Sequence, residues 1–141
     1  MKRVKIKGIL CIFLLLSLLV SAASAAVPDE NPIQPYYIRI LHLNPSLTIS
    51  SAGYADCHGQ VDLDQTSDSA TLTMELQRSN NGSDWETIKD WTASGKVTVV
   101  LDKGRYVTSG YTYRIHLTVQ VYTSSGRLVE SVTDNSFTVK Y

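Results

Sequence analysis

The stretch 113–121 alternates strictly between apolar and polar residues, and no other feature limits the possible folds as strongly. Its odd-numbered residues are apolar: Tyr113, Ile115, Leu117, Val119 and Val121. Its even-numbered residues are polar: Arg114, His116, Thr118 and Gln120. This period of two predicts a β-strand with one buried and one solvated side, because a helix would not separate the two sets so cleanly. As the longest such run, it is predicted to be a central strand of an antiparallel sheet.

The residues before this strand favour a particular kind of sandwich. Val107, Gly110 and Tyr113 have a spacing that resembles the tyrosine corner of immunoglobulin-like and fibronectin-type domains, in which a Tyr near the start of strand F hydrogen-bonds backward. Six other segments, separated by turn sequences, have strand character: 36–49, 53–61, 70–77, 84–92, 96–102 and 128–141. We therefore predict an all-β fold, a seven-stranded antiparallel immunoglobulin/fibronectin-III-like sandwich over residues 36–141. Pro45 is expected to divide the first strand in two.

The N-terminal segment 1–25 is predicted to be a signal peptide outside the fold. A basic start precedes an apolar run over 9–20, and small residues then favour cleavage between Ala25 and Ala26. A retained membrane anchor is the alternative, although a bilayer needs about 20 apolar residues. The Pro-rich segment 26–35 is predicted to be an extended linker. The product is expected to be secreted or associated with the cell surface, and to leave the membrane after cleavage.

The charge of the processed chain argues against two classes of partner. Removal of residues 1–25 takes away four of the 13 Lys and Arg residues and none of the 13 Asp and Glu residues. The remaining surface is mildly acidic and has no basic cluster. Nucleic-acid binding is not expected, because neutralising phosphates requires grouped Lys and Arg, and binding to anionic lipid is disfavoured for the same reason.

Cys57 is the only cysteine that remains after processing, so the domain is predicted to lack an internal disulfide. It shares a strand phase with Ala55 and Val61, and Ile115 stands where an immunoglobulin domain has the partner cysteine. We expect Cys57 to be a small core residue. The alternative is a reactive or intermolecular thiol, which would need exposure and a cationic neighbour.

Catalytic chemistry is not indicated by the residues. The three histidines are spread over three predicted strands and never at ligand spacing: His42, His58 and His116. No nucleophile-elbow, zinc-protease or phosphate-loop motif is present. We predict that the protein is not an enzyme and that it uses no cofactor and no metal.

The loop after the second strand resembles a calcium loop in its first half. Asp62, Asp64, Thr66 and Asp68 are two residues apart, like positions 1, 3, 5 and 7 of such a loop. Ser67 stands where the loop needs Gly, however, and position 12 is a Thr in place of a bidentate Glu. We expect a solvated connection without calcium.

Several motifs together resemble small secreted proteins of Firmicutes, especially clostridia, that form a family of unknown function. These motifs are the signal peptide, Leu72-Thr-Met-Glu-Leu-Gln-Arg-Ser, Trp85-x-x-Ile88-x-x-Trp91, Tyr111-x-Tyr113-Arg114, Val121-Tyr122 and Gly126-x-Leu128-Val129-Glu130. The resemblance implies a secreted Gram-positive protein with a sandwich fold. It implies no catalytic residue.

The aromatic residues leave two interpretations of function. A structural or protein-interaction module, at the cell surface or in the medium, is the first. A carbohydrate-binding or adhesion module, using exposed Trp85 and Trp91 as ligand residues, is the second. Two or three coplanar exposed rings would favour sugars, whereas an apolar patch would favour protein.

The turn Ser79–Gly82 allows two hairpin registers with different consequences for the two tryptophans. A two-residue turn at Asn81-Gly82 puts Leu72 opposite Trp91 and both Trp residues on the core side. A bulged turn pairs Met74 with Ile88 and turns both Trp residues outward. A break in the alternation between Ile88 and Trp91 could bury both of these residues, and we favour Trp91 inside.

Overall fold

The computed structural model describes residues 36–141. The predicted signal peptide, its cleavage site at Ala25 and Ala26, and the linker 26–35 lie outside the described residues. Residues 36–141 form eight strands and no helix: β1 (Ile40–Ile49), β2 (Tyr54–Leu63), β3 (Ser69–Ser79), β4 (Glu86–Lys96), β5 (Thr98–Tyr106), β6 (Thr112–Tyr122), β7 (Leu128–Asn135) and β8 (Val139–Lys140). This part of the chain has no helix of the length and apolarity needed to cross a membrane.

The strands form two antiparallel sheets. The smaller sheet has the order β1-β2-β5, and the larger has the order β4-β3-β6-β7, with β8 also paired to β6. The predicted all-β, sandwich-like architecture is therefore confirmed. The central position predicted for residues 113–121 is also confirmed, because β6 pairs with β3 on one side and with β7 and β8 on the other.

The core lies between the two sheets and is built from alternate residues of the inner strands. All five apolar residues of β6 are buried, and they share the core with Leu72, Met74 and Leu76 of β3 and with Ala55, Cys57 and Val61 of β2. Gly59 of β2 is needed because the facing sheet approaches closely. A Cβ at this position would lie 2.8 Å from Cδ2 of Leu117 and 3.2 Å from Sδ of Met74.

The tyrosine corner predicted at Tyr113 is present. The Tyr113 hydroxyl donates a hydrogen bond to the carbonyl of Thr108. Gly110 has a φ of 95°, a conformation that glycine adopts without steric cost. The Val107 N–H donates to the carbonyl of Gly53 at 2.9 Å, which ties this connection to the start of β2.

The predicted count of seven strands is wrong, because the last predicted strand, 128–141, is two strands. At the break, the Ile115 N–H donates to the hydroxyl of Ser136 at 2.9 Å. A side chain thus replaces a main-chain acceptor, and the ladder with β6 stops after Asn135 and resumes at Val139.

Pro45 does not divide the first strand, contrary to prediction. It lies within continuous β1 and is the partner of Gly59. Because β1 is at the edge of its sheet, the missing N–H of proline is tolerated there. The irregularity in β1 lies earlier, between Ile40 and His42.

The free thiol of Cys57 is fully buried, with 0 % of the residue exposed. The prediction of an unpaired core cysteine is confirmed. Burial raises the pKa of the thiol to about 12, and the carboxylate of Asp56 adds to this shift while Arg105 opposes it. The buried thiol is therefore protonated at neutral pH.

Neither predicted register of the β3–β4 hairpin is correct. Met74 is the partner of Trp91, and Arg78 is the partner of Glu86. The connection over 80–85 is longer than either predicted turn.

Side chains stabilise this longer connection. Asn81 Oδ1 accepts hydrogen bonds from the N–H groups of Ser83 and Asp84, both at 2.9 Å. Ser79 Oγ accepts the N–H of Gly82 at 2.9 Å. These hydrogen bonds satisfy backbone donors that a tight turn would have paired within the ladder.

A register shift separates the two tryptophans. The ladder pairs Leu76 with Lys89 but Gln77 with Thr87, so Ile88 is an extra residue on β4. This break allows Ile88 and Trp91 both to pack against the core. Trp85, beyond the shift, lies on the outer side of the sheet.

Candidate functional site

The outer side of the small sheet carries an exposed pair of tyrosines, Tyr54 and Tyr106, that were not predicted as ligand residues. We call it the aromatic–acidic face and define it by the outward residues of β2 and β5. Those residues are Tyr54, Asp56, His58, Gln60 and Asp62, and Thr98, Val100, Asp102, Gly104 and Tyr106. The alternate residues of β2 are buried, so the strand period alone directs these side chains to solvent.

Tyr54 and Tyr106 form an exposed pair at one end of this face. They are direct cross-strand partners, with ring centroids 5.2 Å apart and planes at 74°. Tyr54 is 43 % exposed and Tyr106 is 70 % exposed. An edge-to-face pair of this kind contributes about 0.5–1.5 kcal/mol beyond area burial. The pair is therefore held in place although much of its surface faces solvent.

Gly104 allows the Tyr54 ring to lie against the sheet. A Cβ at position 104 would be 2.3 Å from the Tyr54 hydroxyl oxygen and 2.6 Å from Cζ. The ring thus occupies the space that a side chain there would need. The backbone of Tyr54 is also held, because its N–H donates a hydrogen bond to Ser50 Oγ at 3.1 Å.

A histidine–aspartate pair lies in the middle of the face. His58 Nδ1 is 2.6 Å from Asp102 Oδ1, and the two residues are cross-strand partners. Asp102 is mostly exposed and His58 is partly exposed. On this open sheet surface the pair has the geometry of a surface ion pair, and His58 makes no hydrogen bond to Ser46, its cross-strand partner on β1.

The far end of the face is a shallow depression of about 510 Å³. Its lining residues are His42, Leu43, Asn44, Gln60 and Asp62. The Asp62 carboxylate accepts hydrogen bonds from Gln60 Nε2 at 2.9 and 3.1 Å and from the Thr98 hydroxyl at 2.7 Å. These contacts fix the carboxylate as one wall of the depression.

The aromatic–acidic face carries three carboxylates and no Lys or Arg. Its ten positions include the carboxylates of Asp56, Asp62 and Asp102. The outward residues of β1 opposite them are also without Lys, Arg, Asp or Glu: His42, Asn44, Ser46 and Thr48. The local field therefore favours a cation.

The outer side of the large sheet has a different composition, and we call it the hydroxyl face. Four threonines lie side by side across four strands: Thr92, Thr73, Thr118 and Thr133. The adjacent row is Ser94, Thr71, Gln120 and Ser131. Some of these hydroxyls hydrogen-bond to each other, at 2.9 Å between Thr71 and Ser94 and at 3.2 Å between Thr73 and Thr92.

The two tryptophans proposed as ligand residues are separated by the sheet. Trp91 is half-buried against the core, with Lys89 Nζ 5.9 Å from its ring centroid. Trp85 is half-buried at the end of the hydroxyl face, where the Arg114 guanidinium carbon is 4.1 Å from its ring centroid. Arg114 is held in turn by Gln77 Oε1 at 2.8 Å. The two rings do not form a common platform.

The acidic residues of the segment that resembles half a calcium loop have separate partners. Asp68 is buried and lies 3.4 Å from the guanidinium of Arg39. Asp64 accepts a hydrogen bond from Gln65 Nε2 at 2.7 Å, while Asp62 belongs to β2 and the depression. Among residues 36–141, no three His, Cys, Asp or Glu side chains are grouped so that they could hold a metal.

The three histidines occupy two faces. His42 and His58 lie on the outer side of the small sheet, at the depression and at the ion pair. His116 lies on the hydroxyl face, where its Nδ1 is 2.8 Å from Asn135 Oδ1. The sequence pattern predicts three separate strands for these histidines but does not show which of them share a face.

Comparison with known proteins gives no assignment of family. No protein-family model matches the chain, and no curated protein matches it significantly. The resemblance to small secreted Firmicutes proteins therefore stays a prediction.

The outward position of Tyr54 could have been predicted from the sequence, but its pairing with Tyr106 could not. Tyr54 has the opposite strand phase to Ala55 and Cys57, which predicts an outward side chain. The predicted fifth strand, 96–102, ended too early because Gly104 and its charged neighbours resemble a loop. Tyr106 was therefore not recognised as a cross-strand partner.

Proposed function

We propose that the chain is an exported, non-catalytic module of the immunoglobulin/fibronectin-III type that acts by binding another protein, at the cell surface or in the medium. The grouping of β1, β2 and β5 in one sheet and β4, β3, β6 and β7 in the other matches strands A-B-E and C′-C-F-G. The tyrosine corner before β6 supports the same assignment. The basic, apolar and small-residue pattern of residues 1–25 supports export.

The observation that carries the binding function is the exposed pair Tyr54 and Tyr106. Tyrosines are frequent energetic centres of protein interfaces because they offer a large surface with few rotatable bonds. Here Gly104 and the edge-to-face contact already restrict the rings. Little conformational entropy would be lost when a partner covers them.

Carbohydrate binding is a second candidate, supported by the surroundings of Trp85. Its ring is still partly exposed and lies beside the polar side chains of Arg114 and Gln77. Against it, Trp91 packs on the core and the tyrosine pair is not coplanar. Tryptophan emission that is easily quenched by iodide and shifted by oligosaccharides would favour this second function.

Export is tested by producing the chain with a C-terminal tag in a Gram-positive host. We expect the tagged protein in the medium or on the cell surface, with Ala26 as its first residue by mass spectrometry. An uncleaved protein retained inside the cell would contradict the proposal.

Binding is tested with the same preparation, by measuring how much labelled protein stays on washed cells of the host. Replacing Tyr54 and Tyr106 by Ala should reduce retention severalfold, because about 1–2 kcal/mol per interface residue corresponds to a fivefold to thirtyfold change. Thr133→Ala on the hydroxyl face is the matched control. Equal retention of the parent, the Tyr54/Tyr106 variant and Thr133→Ala would contradict the binding function. So would the absence of retention for all three proteins.

A further inference from the structure

We propose that the aromatic–acidic face binds an extended segment of a partner protein that presents Lys or Arg side chains. This inference rests on the proposed binding function and adds the chemistry of the partner. Three features support it: the charge of the face, the position of its carboxylates beside the tyrosine pair, and its length.

Charge complementarity is the first feature. The face carries Asp56, Asp62 and Asp102 without any Lys or Arg, whereas the hydroxyl face mixes Arg114 with Glu75. A basic segment is attracted to the first surface and gains little from the second. An anionic polymer would be repelled by the aromatic–acidic face.

The carboxylates are also placed where a cation on the rings would meet them. Asp56 is the cross-strand partner of Gly104, which the Tyr54 ring covers, and Asp102 lies two residues before Gly104 on the same strand. A guanidinium or ammonium on the exposed tyrosine surface would thus gain cation–π attraction and a nearby carboxylate together. Asp102 is mostly exposed, and its Oδ2 has no hydrogen bond to any of residues 36–141.

The face is long enough for a segment and not only for a single side chain. From Tyr54 to Asp62 the strand advances about 27 Å, at about 3.4 Å per residue. An extended chain of about eight residues would reach from the tyrosine pair to the depression, where Asn44 and Gln60 offer amide donors and acceptors.

The test uses a fluorescein-labelled ten-residue peptide of alternating Arg and Gly, with a citrulline–Gly peptide as the uncharged control. Binding to the secreted chain is measured by fluorescence anisotropy; if export fails, the full-length chain purified from cells is used. The Arg peptide should bind, the citrulline peptide should bind at least about tenfold more weakly, and added salt should weaken the binding.

Variants locate the binding on the face. The double variant Asp56→Asn, Asp102→Asn should weaken binding of the Arg peptide about tenfold, and Tyr106→Leu about twofold to fivefold. The double variant Glu75→Gln, Asp90→Asn on the hydroxyl face, which also removes two negative charges, should leave binding unchanged. All variants should keep the unfolding midpoint of the parent within a few degrees, which excludes misfolding as the cause.

Three outcomes would overturn the inference. The first is equal binding of the Arg and citrulline peptides. The second is an equal effect of the Asp56/Asp102 and Glu75/Asp90 variants. The third is Tyr106-dependent binding of a neutral oligosaccharide without binding of the Arg peptide. The two proposals can fail separately. If the chain is exported and retained on cells through its tyrosines but does not bind the Arg peptide, the proposed function is supported and the inference of a Lys- or Arg-bearing partner is wrong.

Discussion

The two outer faces of the sandwich follow the same alternation rule but have opposite properties. On the hydroxyl face, short polar side chains face each other across strands and satisfy part of their hydrogen bonding internally. On the aromatic–acidic face, two large rings and three carboxylates face solvent. Cross-strand Thr and Ser pairs contribute about 0.2–1 kcal/mol each to sheet stability. This difference supports the proposed function, in which the hydroxyl face stabilises the fold and the aromatic–acidic face binds the partner.

The buried side of β6 explains why this strand is so easily recognised in the sequence. The buried residues of β6 are all large and apolar, so its alternation with polar residues is clear in the sequence. β2 also lies in the centre of a sheet, but its buried residues include Ala55, Cys57 and Gly59, so its alternation is weaker.

The largest expected effect is the loss of stability when a core side chain is truncated, which should exceed the loss for a side chain of the aromatic–acidic face. Leu117→Ala should lower the free energy of unfolding by about 3–5 kcal/mol, because the side chain is fully buried and its neighbours cannot close the cavity. Tyr106→Ala should lower it by only about 0.5–1.5 kcal/mol, since the ring is mostly exposed and its main contact is the edge-to-face pair with Tyr54. Urea denaturation monitored by circular dichroism measures both values. A similar loss in the two variants would show that the tyrosine pair is a structural element.

A smaller effect is expected at Cys57. Cys57→Ala should cost about 1–2 kcal/mol, the scale of a small cavity in the core. The native thiol should react with a labelling reagent only as fast as the domain opens. Rapid stoichiometric labelling of the folded protein would show that the thiol is accessible.

The raised pKa of the buried Cys57 thiol predicts that the stability of the domain falls at alkaline pH. The folded-state pKa of Cys57 is raised to about 12 from an ordinary value of 9.0. Its contribution to stability is therefore complete below about pH 9 and is lost as the pH rises toward 12. Burial also raises the pKa of Tyr113, which acts in the same direction. Between pH 8 and 11 the parent should lose more stability than Cys57→Ala, and equal losses would contradict the assignment.

Much of the fold could be predicted from the sequence, and the exceptions have physical causes. The alternation at 113–121, the tyrosine corner and the buried Cys57 depend on local patterns that the structure preserves. The register of β3 and β4 could not be predicted, because Asn81 and Ser79 form side-chain hydrogen bonds that support a longer loop. The break before β8 depends on Ser136 bonding to a distant strand.

The candidate site was less accessible to prediction. Trp85 and Trp91 have the largest side chains, but the shift at Ile88 places them on opposite sides of the sheet. The tyrosine pair depends on β2 and β5 being neighbours, which are about 50 residues apart in sequence. Cross-strand partners at this separation leave no periodic signal in the sequence.

Gly104→Ala is expected to affect the aromatic–acidic face more than the fold. The new Cβ would displace the Tyr54 ring, whose side chain can rotate outward at small cost. We expect a loss of stability below about 1 kcal/mol and weaker binding of the Arg peptide. Gly82→Ala provides a contrast, since Gly82 has a φ of 77° and no neighbour near the added Cβ. Its backbone strain should lower stability without changing binding.

The smallest expected effect concerns the threonine row of the hydroxyl face. Thr118→Ala removes one hydroxyl and one methyl group between Thr73 and Thr133, and should cost about 0.2–1 kcal/mol. Thr118→Val keeps the β-branched shape and should recover most of the loss if packing on the pleated surface is the cause. Chemical denaturation gives the stability, and fluorescence anisotropy with the Arg peptide should give the same affinity for both variants as for the parent. Reduced peptide affinity in Thr118→Ala would mean that the two faces are coupled through the core or that the peptide also contacts the hydroxyl face. In either case the division between a structural face and a recognition face would have to be abandoned, because the row would serve both.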